Sequence, residues 1–311
     1  MFRDLTPEIL EEGLNEVFFD TYSPEKPPEF AEIGDIFKEE TSNKHQEYDL
    51  EMRGVGRFTE KGEEEDIPED EIAEEFKTTY SHVTYSNSLP VSLELLEDEL
   101  YGQIKEAVGD MGMAARDTQH FKAFSIFRNA FDANFAGADG KPLVAADHPR
   151  ELGGTLDNLL TAKLSPKSIQ QAIYRMHEQK SLSGRLVPNN PKCLLVAPKN
   201  FKRAVEYTDA ELVPGTANNG PNVFSTKYNI SVKMSPYIGS SQGGDDDYWF
   251  LLGERHKVKR FIRKPLMTWV NDWKISRKTK TYYNARYRDS YGFSSPIGVM
   301  GSTGVDGSYP A

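Results

Sequence analysis

The pentapeptide from Gly239 to Gly243, GSSQG, matches the G-x-S-x-G pattern that carries the nucleophile of many serine hydrolases. In those enzymes the serine lies on a sharp turn between a strand and a helix, which exposes its hydroxyl group. Here three aspartates follow at 245–247, and the apolar run after them predicts a strand instead of a helix. We therefore interpret the pentapeptide as a loop. A serine hydrolase that uses Ser241 is kept as an alternative from a different functional class.

No other group of side chains has the spacing of a catalytic or metal site. Three adjacent aspartates cannot converge on one cation as the alternating ligands of a calcium loop do. No two histidines have the H-x-x-x-H spacing of metal ligands, and we interpret His148, beside Asp147 and Pro149, as a turn residue. The histidines are His45, His82, His120, His148, His177 and His256. We therefore assign no catalytic, cofactor-binding or metal-binding residue, and we expect no cofactor.

The cysteine content and the apolar runs limit the cellular setting. The single cysteine, Cys193, excludes a disulfide within one chain, and its apolar surroundings at 193–197 predict a buried structural thiol. The N-terminus lacks the basic and then apolar pattern of a secretion signal. No apolar run approaches the roughly 18 residues of a membrane span. These features predict folding in a reducing cytosol and no membrane partner.

The stretch 255–288 is basic and aromatic, with 12 Lys or Arg residues and one acidic residue. It could follow phosphates, with aromatic rings stacking on bases. The candidate rings are Trp269, Trp273, Tyr282, Tyr283 and Tyr287. We favour ordinary strands whose polar faces pair with acidic partners. A DNA-binding module is a further alternative, and weak contact with enclosed nucleic acid is compatible with either interpretation.

Charge is distributed unevenly along the 311 residues. Residues 1–80 contain 25 acidic and 8 basic residues, net −17, whereas residues 81–311 have a net charge of +6. The acidic part could pair with the basic part of a neighbouring copy, or it could be a solvated arm. We expect a mixture of the two, with glutamates at 63–75 meeting basic residues of an adjacent copy.

The strongest helical period runs from Ser92 to Phe131. Its apolar positions include Leu93, Leu96, Leu100, Ile104, Val108, Met111 and Ala115, followed by Phe124, Phe127 and Phe131. Ser92 is a candidate N-cap. Three glycines, at 102, 109 and 112, each cost about 1 kcal/mol of helix propensity, which predicts either a bend or close contact with another backbone. One long helix and two helices broken near 109–112 both fit this pattern.

Other segments have simpler patterns. Residues 7–18 predict a short amphipathic helix that has no core of its own, and residues 46–89 predict a long hairpin with an acidic tip. Alternating strands and helices over 165–252 predict a compact lobe, with a helix starting at Pro166 and a central strand near 189–198. We expect a subunit lacking residues 1–30 to be soluble but to assemble poorly.

The order of segments is similar to that of the major capsid (major head) proteins of tailed bacteriophages, especially the Mu-like head-subunit family. Residues 56–116 resemble that family's extended loop and spine helix. Residues 138–173 resemble its most recognisable segment, in which D-G, H-P, G-G and an asparagine precede a helix. Residues 186–206 resemble the strand and helix that follow, and residues 284–304 resemble the C-terminal strand and tail.

This resemblance implies an α+β protein with the tailed-phage major capsid fold, which encapsulins share. The implied parts are an N-terminal arm at 1–45, an extended β-hairpin loop at 46–89, a peripheral domain with the long spine helix at 90–164 and 255–285, and an axial domain at 165–254 and 286–311.

The resemblance also implies a structural protein, not an enzyme, that self-assembles into the pentamers and hexamers of an icosahedral phage head around double-stranded DNA. Its expected partners are copies of itself, a separate scaffolding protein, a portal and decoration proteins, with non-specific contact to the packaged DNA and no membrane. Its expected location is the virion capsid, assembled in the host cytoplasm. The alternative within the same fold is an encapsulin-type shell protein of a bacterial nanocompartment.

Overall fold

The structure, a computed structural model, describes residues 7–23, 27–63, 66–67, 69–70, 72–92, 101–150, 154–210, 221–271 and 280–306. Its α-helices are α1 (Pro7–Tyr22), α2 (Ile33–Ile36), α3 (Tyr101–Ala123), α4 (Ser125–Arg128), α5 (Pro166–His177) and α6 (Pro198–Thr208). Its strands are β1 (Lys38–Thr41), β2 (Gln46–Arg53), β3 (Ala73–Ser81), β4 (Val83–Ser92), β5 (His148–Pro149), β6 (Thr155–Leu156), β7 (Leu159–Ala162), β8 (Pro191–Val196), β9 (Ser231–Met234), β10 (Trp249–Gly253), β11 (Val258–Asn271), β12 (Lys280–Phe293) and β13 (Val299–Asp306). Among the described residues, no helix combines the length and apolar character needed to cross a bilayer.

A five-stranded sheet forms one half of the fold, in the order β7-β13-β10-β8-β9. Strand β10 is antiparallel to β8 and β13, while β7 is parallel to β13 and β9 is parallel to β8. Side chains of β8 and β10 alternate between two cores, with Leu195 and Phe250 in one and Leu194 and Trp249 in the other. Burial on both faces explains the continuous apolar runs and confirms the predicted central strand.

Helix α5 shows how local sequence and packing agree. The Ser165 hydroxyl accepts a hydrogen bond from the Ser168 backbone N–H, and Pro166 occupies the first turn. The predicted apolar face of Ile169, Ile173 and Met176 is buried against the five-stranded sheet. The predicted helix and its buried face are therefore confirmed.

A four-stranded sheet forms the other half, in the order β1-β11-β12-β4. Strands β11 and β12 make a long antiparallel ribbon, β4 pairs antiparallel with β12, and β1 pairs parallel with β11. Strand β12 runs across the predicted domain boundary at 285/286, and β4 runs across the one at 89/90. The predicted domain assignment stays a prediction.

The predicted hairpin is present but shorter than expected. Strands β2 and β3 pair antiparallel, from Gln46 opposite Ser81 to Arg53 opposite Ala73. After His82 the chain continues as β4, which pairs with β12 instead of β2. The second arm therefore ends at Ser81 and not near residue 89, because the later residues complete the four-stranded sheet.

Helix α3 runs without interruption from Tyr101 to Ala123, so the alternative of two helices split at 109–112 is wrong. Phe124 separates it from the short helix α4, so the helical period that reaches Phe131 covers more than one element. Ser92 is the last residue of β4, and its proposed role as the helix cap stays a prediction because residues 93–100 lie outside the described residues. The predicted positions Leu93, Leu96 and Leu100 lie outside the described residues.

Close contact with α1 accounts for two of the three glycines. A Cβ at Gly112 would lie 2.6 Å from the Phe18 carbonyl oxygen and 2.5 Å from the Thr21 hydroxyl oxygen, and a Cβ at Gly109 would lie 3.3 Å from Thr21 Cγ2. This approach lets Leu14 and Phe18 of α1 enter the core beneath α3. The predicted contact with another backbone is confirmed, and α1 docks on the body of its own chain.

Replacing Gly112 with alanine should weaken this crossing. The added Cβ has to displace the α1 backbone, so we expect a loss of about 1–3 kcal/mol in the free energy of unfolding. Gly102→Ala in the same helix is the matched control, because a Cβ at that position would meet no atom within 4 Å. The control should gain roughly 0.5–1 kcal/mol from helix propensity. Urea denaturation of both variants measures the difference, and equal shifts would contradict the close-contact explanation.

Removing residues 1–30 should have a stronger effect than the sequence suggests. Leu14 and Phe18 are 3% and 0% exposed, and they cover Val108 and Tyr283. Without α1 this apolar surface faces water, so we expect the truncated chain to aggregate instead of remaining a soluble subunit. Size-exclusion chromatography and thermal melting test this expectation. A monomeric truncation with an unchanged melting temperature would show that α1 is dispensable for the fold.

Candidate assembly surfaces

Ser241 lies on an exposed turn of 3-10 helix, Ser240–Gln242, which follows another such turn at Pro236–Ile238. The next regular element is β10, so the local order is two turns and then a strand. A hydrolase nucleophile requires strand, turn and helix in that order. The backbone N–H and the hydroxyl of Ser240 each donate to the Asp246 carboxylate at 2.9 Å, which closes the loop. This geometry agrees with the loop interpretation.

The three aspartates at 245–247 bind different partners. Asp245 accepts from the Asp247 backbone N–H, Asp247 pairs with Lys199 at 3.1 Å, and Asp246 accepts from Ser240. The hydrogen bonds from Ser240 lower the pKa of Asp246. In the part of the chain that the structure describes, no cluster of three or more His, Cys, Asp or Glu side chains could hold a metal ion.

Cys193 is buried in β8, and burial raises the pKa of its thiol to about 12. Because the thiolate is the nucleophilic form, this environment makes the side chain unreactive. The prediction of a buried structural thiol is confirmed.

His148 belongs to a buried polar network that the sequence analysis missed. It lies on the short strand β5, not in a turn, and its Nδ1 and Nε2 are 2.6 Å from Asp139 Oδ2 and 3.2 Å from Asn158 Oδ1. Asn158 also donates to the Leu143 carbonyl and accepts from the Ala145 N–H. The network braces the loop between α4 and β7. The available signal was the D-G, H-P and asparagine pattern, whose polar members are these three side chains.

Two of the five candidate aromatic rings in the basic stretch are buried inside the subunit, where they cannot stack on bases. Tyr283 and Tyr287 are 0% and 4% exposed, and Tyr283 packs against Phe18 of α1. Tyr287 stacks on Tyr85 of β4 with ring centroids 5.0 Å apart. Trp273 lies outside the described residues. The base-stacking alternative is therefore wrong for the two buried tyrosines, because their rings hold helices and strands together.

Basic residues of this stretch pair with acidic residues of the same chain. Lys259 contacts Asp49 at 3.0 Å and Glu40 at 3.2 Å, and Lys257 lies 3.8 Å from Glu51. All three carboxylates belong to the acidic N-terminal part. These pairs agree with the favoured interpretation of ordinary strands whose polar faces meet acidic partners, and they partly neutralise the charge asymmetry within one subunit.

Arg260 forms the most buried of these ion pairs. It contacts Glu39 at 2.7 Å and Asp289, which is 1% exposed, at 3.2 Å. Burial raises the pKa of Asp289, and hydrogen bonds from Tyr291 and Arg260 oppose that rise. Burial by itself lowers the pKa of Arg260, but Tyr291 and the two carboxylates raise it above its usual value. The guanidinium therefore joins β1, β11 and β12 as a permanent cation.

The outward face of the hairpin carries an apolar row on β2. Tyr48, Leu50 and Met52 alternate along the strand and are 51%, 40% and 52% exposed. Lys77 of β3 lies over the Tyr48 ring, with Nζ 4.2 Å from the centroid. The residues between them, Asp49 and Glu51, face Lys259 and Lys257 on the body. The hairpin thus binds its own subunit through charges and presents apolar side chains to the outside.

The connection between β2 and β3 combines acidic and apolar exposure. Phe58 is 98% exposed and Ile67 is 78% exposed. Glu60, Glu63 and Asp66 lie in the same connection and are exposed as well. Glu64 and Glu65, part of the predicted acidic contact, lie outside the described residues. Exposed large apolar side chains on a projecting element are typical of protein contact surfaces.

Replacing Arg260 with methionine should destabilise the subunit by about 3–5 kcal/mol at pH 7.5, because a buried carboxylate loses its cation. The deficit should shrink as the pH falls, because Asp289 then takes up a proton and no longer needs the cation. Lys202→Met is the control: its pair with Glu206 spans 3.7 Å with the lysine 87% exposed, so the change should stay below about 0.5 kcal/mol. Urea denaturation at pH 7.5 and at a lower pH measures the loss in the free energy of unfolding for each variant. A loss for Arg260→Met that does not depend on pH would contradict this role.

Comparison with known proteins shows which family the chain belongs to. A family model described as phage capsid protein matches residues 74–299, which include β4, α3 and most strands of both sheets. A search of curated protein sequences finds no match.

Solved structures share the fold at low sequence identity. The virus-like particle from Pyrococcus furiosus aligns over 94% of this chain and 98% of its own, with 7% identity and a TM-score of 0.55. The mature capsid of bacteriophage PhiM1 aligns over 86% and 84%, with 13% identity and a TM-score of 0.55. A chain from Mycobacterium phage Bobi aligns over 97% and 95%, with 10% identity and a TM-score of 0.50.

These likenesses confirm the predicted α+β tailed-phage capsid fold, and the phage family match does not favour the encapsulin alternative. Since the family model covers well over half of its residues, the chain belongs to the family of phage capsid proteins.

Proposed function

We propose that this chain is the major capsid protein of a tailed phage. Its copies assemble into pentamers and hexamers of an icosahedral shell that encloses double-stranded DNA. The single observation that carries this proposal is the capsid family match over 74–299, which includes most strands of both sheets and the long helix α3. The role is structural, and we assign no catalytic residue. The Mu-like head-subunit group is the proposed branch, on the resemblance of residues 138–173.

The partners and location follow from this role and remain part of the proposal. Other copies of the chain are the main partner. A separate scaffolding protein, a portal and decoration proteins would act during and after assembly in the host cytoplasm. Contact with packaged DNA would be non-specific and electrostatic. We also propose that the four-stranded sheet with α3 corresponds to the peripheral domain and that the five-stranded sheet corresponds to the axial domain.

The hairpin is the proposed contact between subunits. Its inner face is anchored by Lys257 and Lys259, and its outer apolar row of Tyr48, Leu50 and Met52 is about half exposed in the subunit. Covering this row with a neighbouring copy removes apolar area from water at roughly 25 cal/mol per Å². A repeated small gain of this kind suits a shell, in which every subunit contributes the same contact.

Electron microscopy of the purified protein tests the function, and closed shells tens of nanometres across are the expected result. A double variant, Leu50→Asp with Met52→Asp, tests the contact. Both side chains are at least 40% exposed, so the subunit should fold normally while the yield of closed particles falls at least about tenfold.

The matched control is Gln170→Asp with Tyr174→Asp, which adds the same charge to exposed positions of α5. It should assemble like the unmodified protein. Normal shells from the hairpin variant would overturn the contact but not the function. Small oligomers from the unmodified protein, under all conditions that favour assembly, would overturn the function.

A further inference from the structure

The two ends of the hairpin meet at one buried histidine. Ser42 lies just before β2, and His82 is the single residue between β3 and β4. His82 Nε2 is 3.0 Å from Ser42 Oγ, and His82 Nδ1 is 3.0 Å from Oγ of Ser290 on β12. The ring therefore joins the start of the hairpin, its end and the sheet that carries it. We call residues 42–46 and 81–83 the neck of the hairpin.

A neutral ring fits this position well. His82 is 8% exposed, and each of its nitrogens faces a serine hydroxyl, which can either donate or accept a hydrogen bond. Because the Ser42 hydroxyl donates its proton to Glu47, it accepts from the His82 Nε2–H, and Nδ1 accepts from the Ser290 hydroxyl. The neutral tautomer with the proton on Nε2 therefore satisfies both serines. The hydrogen bonds close the neck without a charge.

The charged groups around the ring are mainly cations. From β12, Arg288 Nη2 donates to the His82 carbonyl oxygen at 3.4 Å, and from β11, Arg263 Nη1 donates to the Ser42 carbonyl oxygen at 3.4 Å. At the start of β2, Glu47 accepts from the Ser42 hydroxyl at 2.8 Å, and His45 adds a second titratable ring. Lys44 of the neck also pairs with Glu47, at 3.2 Å. Three permanent cations thus accompany one carboxylate.

Other contacts hold the hairpin to the body but do not close the neck. The Tyr80 ring lies 4.8 Å from the Phe261 ring and occupies the space that a Cβ at Gly292 would fill, only 2.6 Å from Tyr80 Cε1. The pair of Lys259 with Asp49 lies further along β2. If the neck opened, these contacts would keep the hairpin attached while its angle to the four-stranded sheet changed.

We propose that His82 is a proton-sensitive hinge: protonation of its ring adds a cation beside Arg263 and Arg288, loosens the neck and frees the hairpin to change its angle. The use of this hinge in shell formation rests on the proposed function, because only there does the hairpin angle decide which neighbour it reaches. The hinge itself is a property of the single subunit.

The pH dependence has a definite sign. Burial first, and then the charge of Arg288, lower the pKa of His82 in the closed neck below its ordinary value of about 6.5. The closed form therefore binds the proton more weakly than an open form. Above about pH 6.5 the ring is neutral in both forms, and the closed neck has its full stability. As the pH falls from there toward the lowered pKa, the equilibrium constant for closing the neck decreases by up to about tenfold per pH unit.

The neighbouring hairpin carboxylate Glu51 cannot produce the same response. Burial raises its pKa, and Ser295 and Lys257 only partly oppose that rise. The closed form therefore binds a proton on Glu51 more readily than an open form does. Acid would strengthen the closed hairpin through Glu51 and weaken it through His82.

The pKa of Glu47 is lowered by its hydrogen bond from Ser42. The pKa of Asp49 is also lowered, because hydrogen bonds from Ser294 and Lys259 outweigh burial. These two carboxylates also weaken the closed form in acid, but only near or below their ordinary pKa of about 4. Loosening of the neck between pH 7.5 and pH 5.5 therefore points to a histidine, and the His82 variant below identifies it.

Hydrogen–deuterium exchange on the full-length, unassembled subunit tests the hinge. Rates are compared at pH 7.5 and pH 5.5 after correction for the intrinsic pH dependence of amide exchange. Peptides covering 42–53 and 73–84 should exchange up to about tenfold faster at pH 5.5, the limit set by one pH unit below about 6.5. Peptides of β8 and β10, in the core of the five-stranded sheet, should change much less.

Two variants separate the hinge from general acid weakening. His82→Gln offers a neutral amide to both serines, so its neck peptides should exchange equally at both pH values. His177→Gln, on α5 and remote from the neck, should keep the acid response of the unmodified protein. If His82→Gln fails to fold, His82→Asn takes its place.

The unmodified protein alone can overturn the proposal, by showing the same corrected exchange in the neck at both pH values. Retention of the acid response by His82→Gln would overturn it as well. Failure of the hinge leaves the proposed function intact, because shells would still be seen by electron microscopy. If no shells form but the neck is acid-sensitive, the hinge is supported and the proposed function is contradicted.

Discussion

The acidic N-terminal part of the chain is held by the cations of one basic strand, β11, and the lysine just before it. Lys257, Lys259 and Arg260 bind carboxylates at 39–51, and β1 lies parallel beside the same strand. Backbone hydrogen bonds set the register, and the ion pairs neutralise charge that would otherwise repel. The position of β1, the inner face of the hairpin and the buried Asp289 all depend on this arrangement. Removing the cations would leave the carboxylates of β1 and β2 without these ion pairs.

The two sheets and the hairpin differ in how much they bury. The five-stranded sheet is covered on both faces, so it is complete in one subunit. The hairpin is covered on one face only and leaves Leu50, Met52 and Phe58 in water. The hairpin and its connection therefore carry a group of exposed apolar side chains that another copy could cover. The difference in burial between the five-stranded sheet and the hairpin is therefore the main structural reason to look for a subunit contact at the hairpin.

Helix packing explains a sequence feature that local propensity alone leaves open. Gly109 and Gly112 weaken α3 as an isolated helix, but they allow the α1 backbone to approach closely. The approach buries Leu14 and Phe18, and this burial outweighs the propensity cost of the glycines. Helix α1 of the arm is consequently part of the folded body, and the contact between subunits that we propose lies in the hairpin.

The sequence alone was sufficient for elements whose pattern is local. The cap at Ser165, the face of Ile169 and the apolar run around Cys193 indicated α5 and β8, and the order of segments indicated the capsid fold. Tertiary structure alone decided which strand pairs with residues 83–92, which carboxylate each cation binds, and that His82 and His148 are buried in polar networks. The reason is physical: periodicity reports which face of an element is apolar. Pairing and polar networks depend on residues that are distant in the chain and meet only in the folded protein.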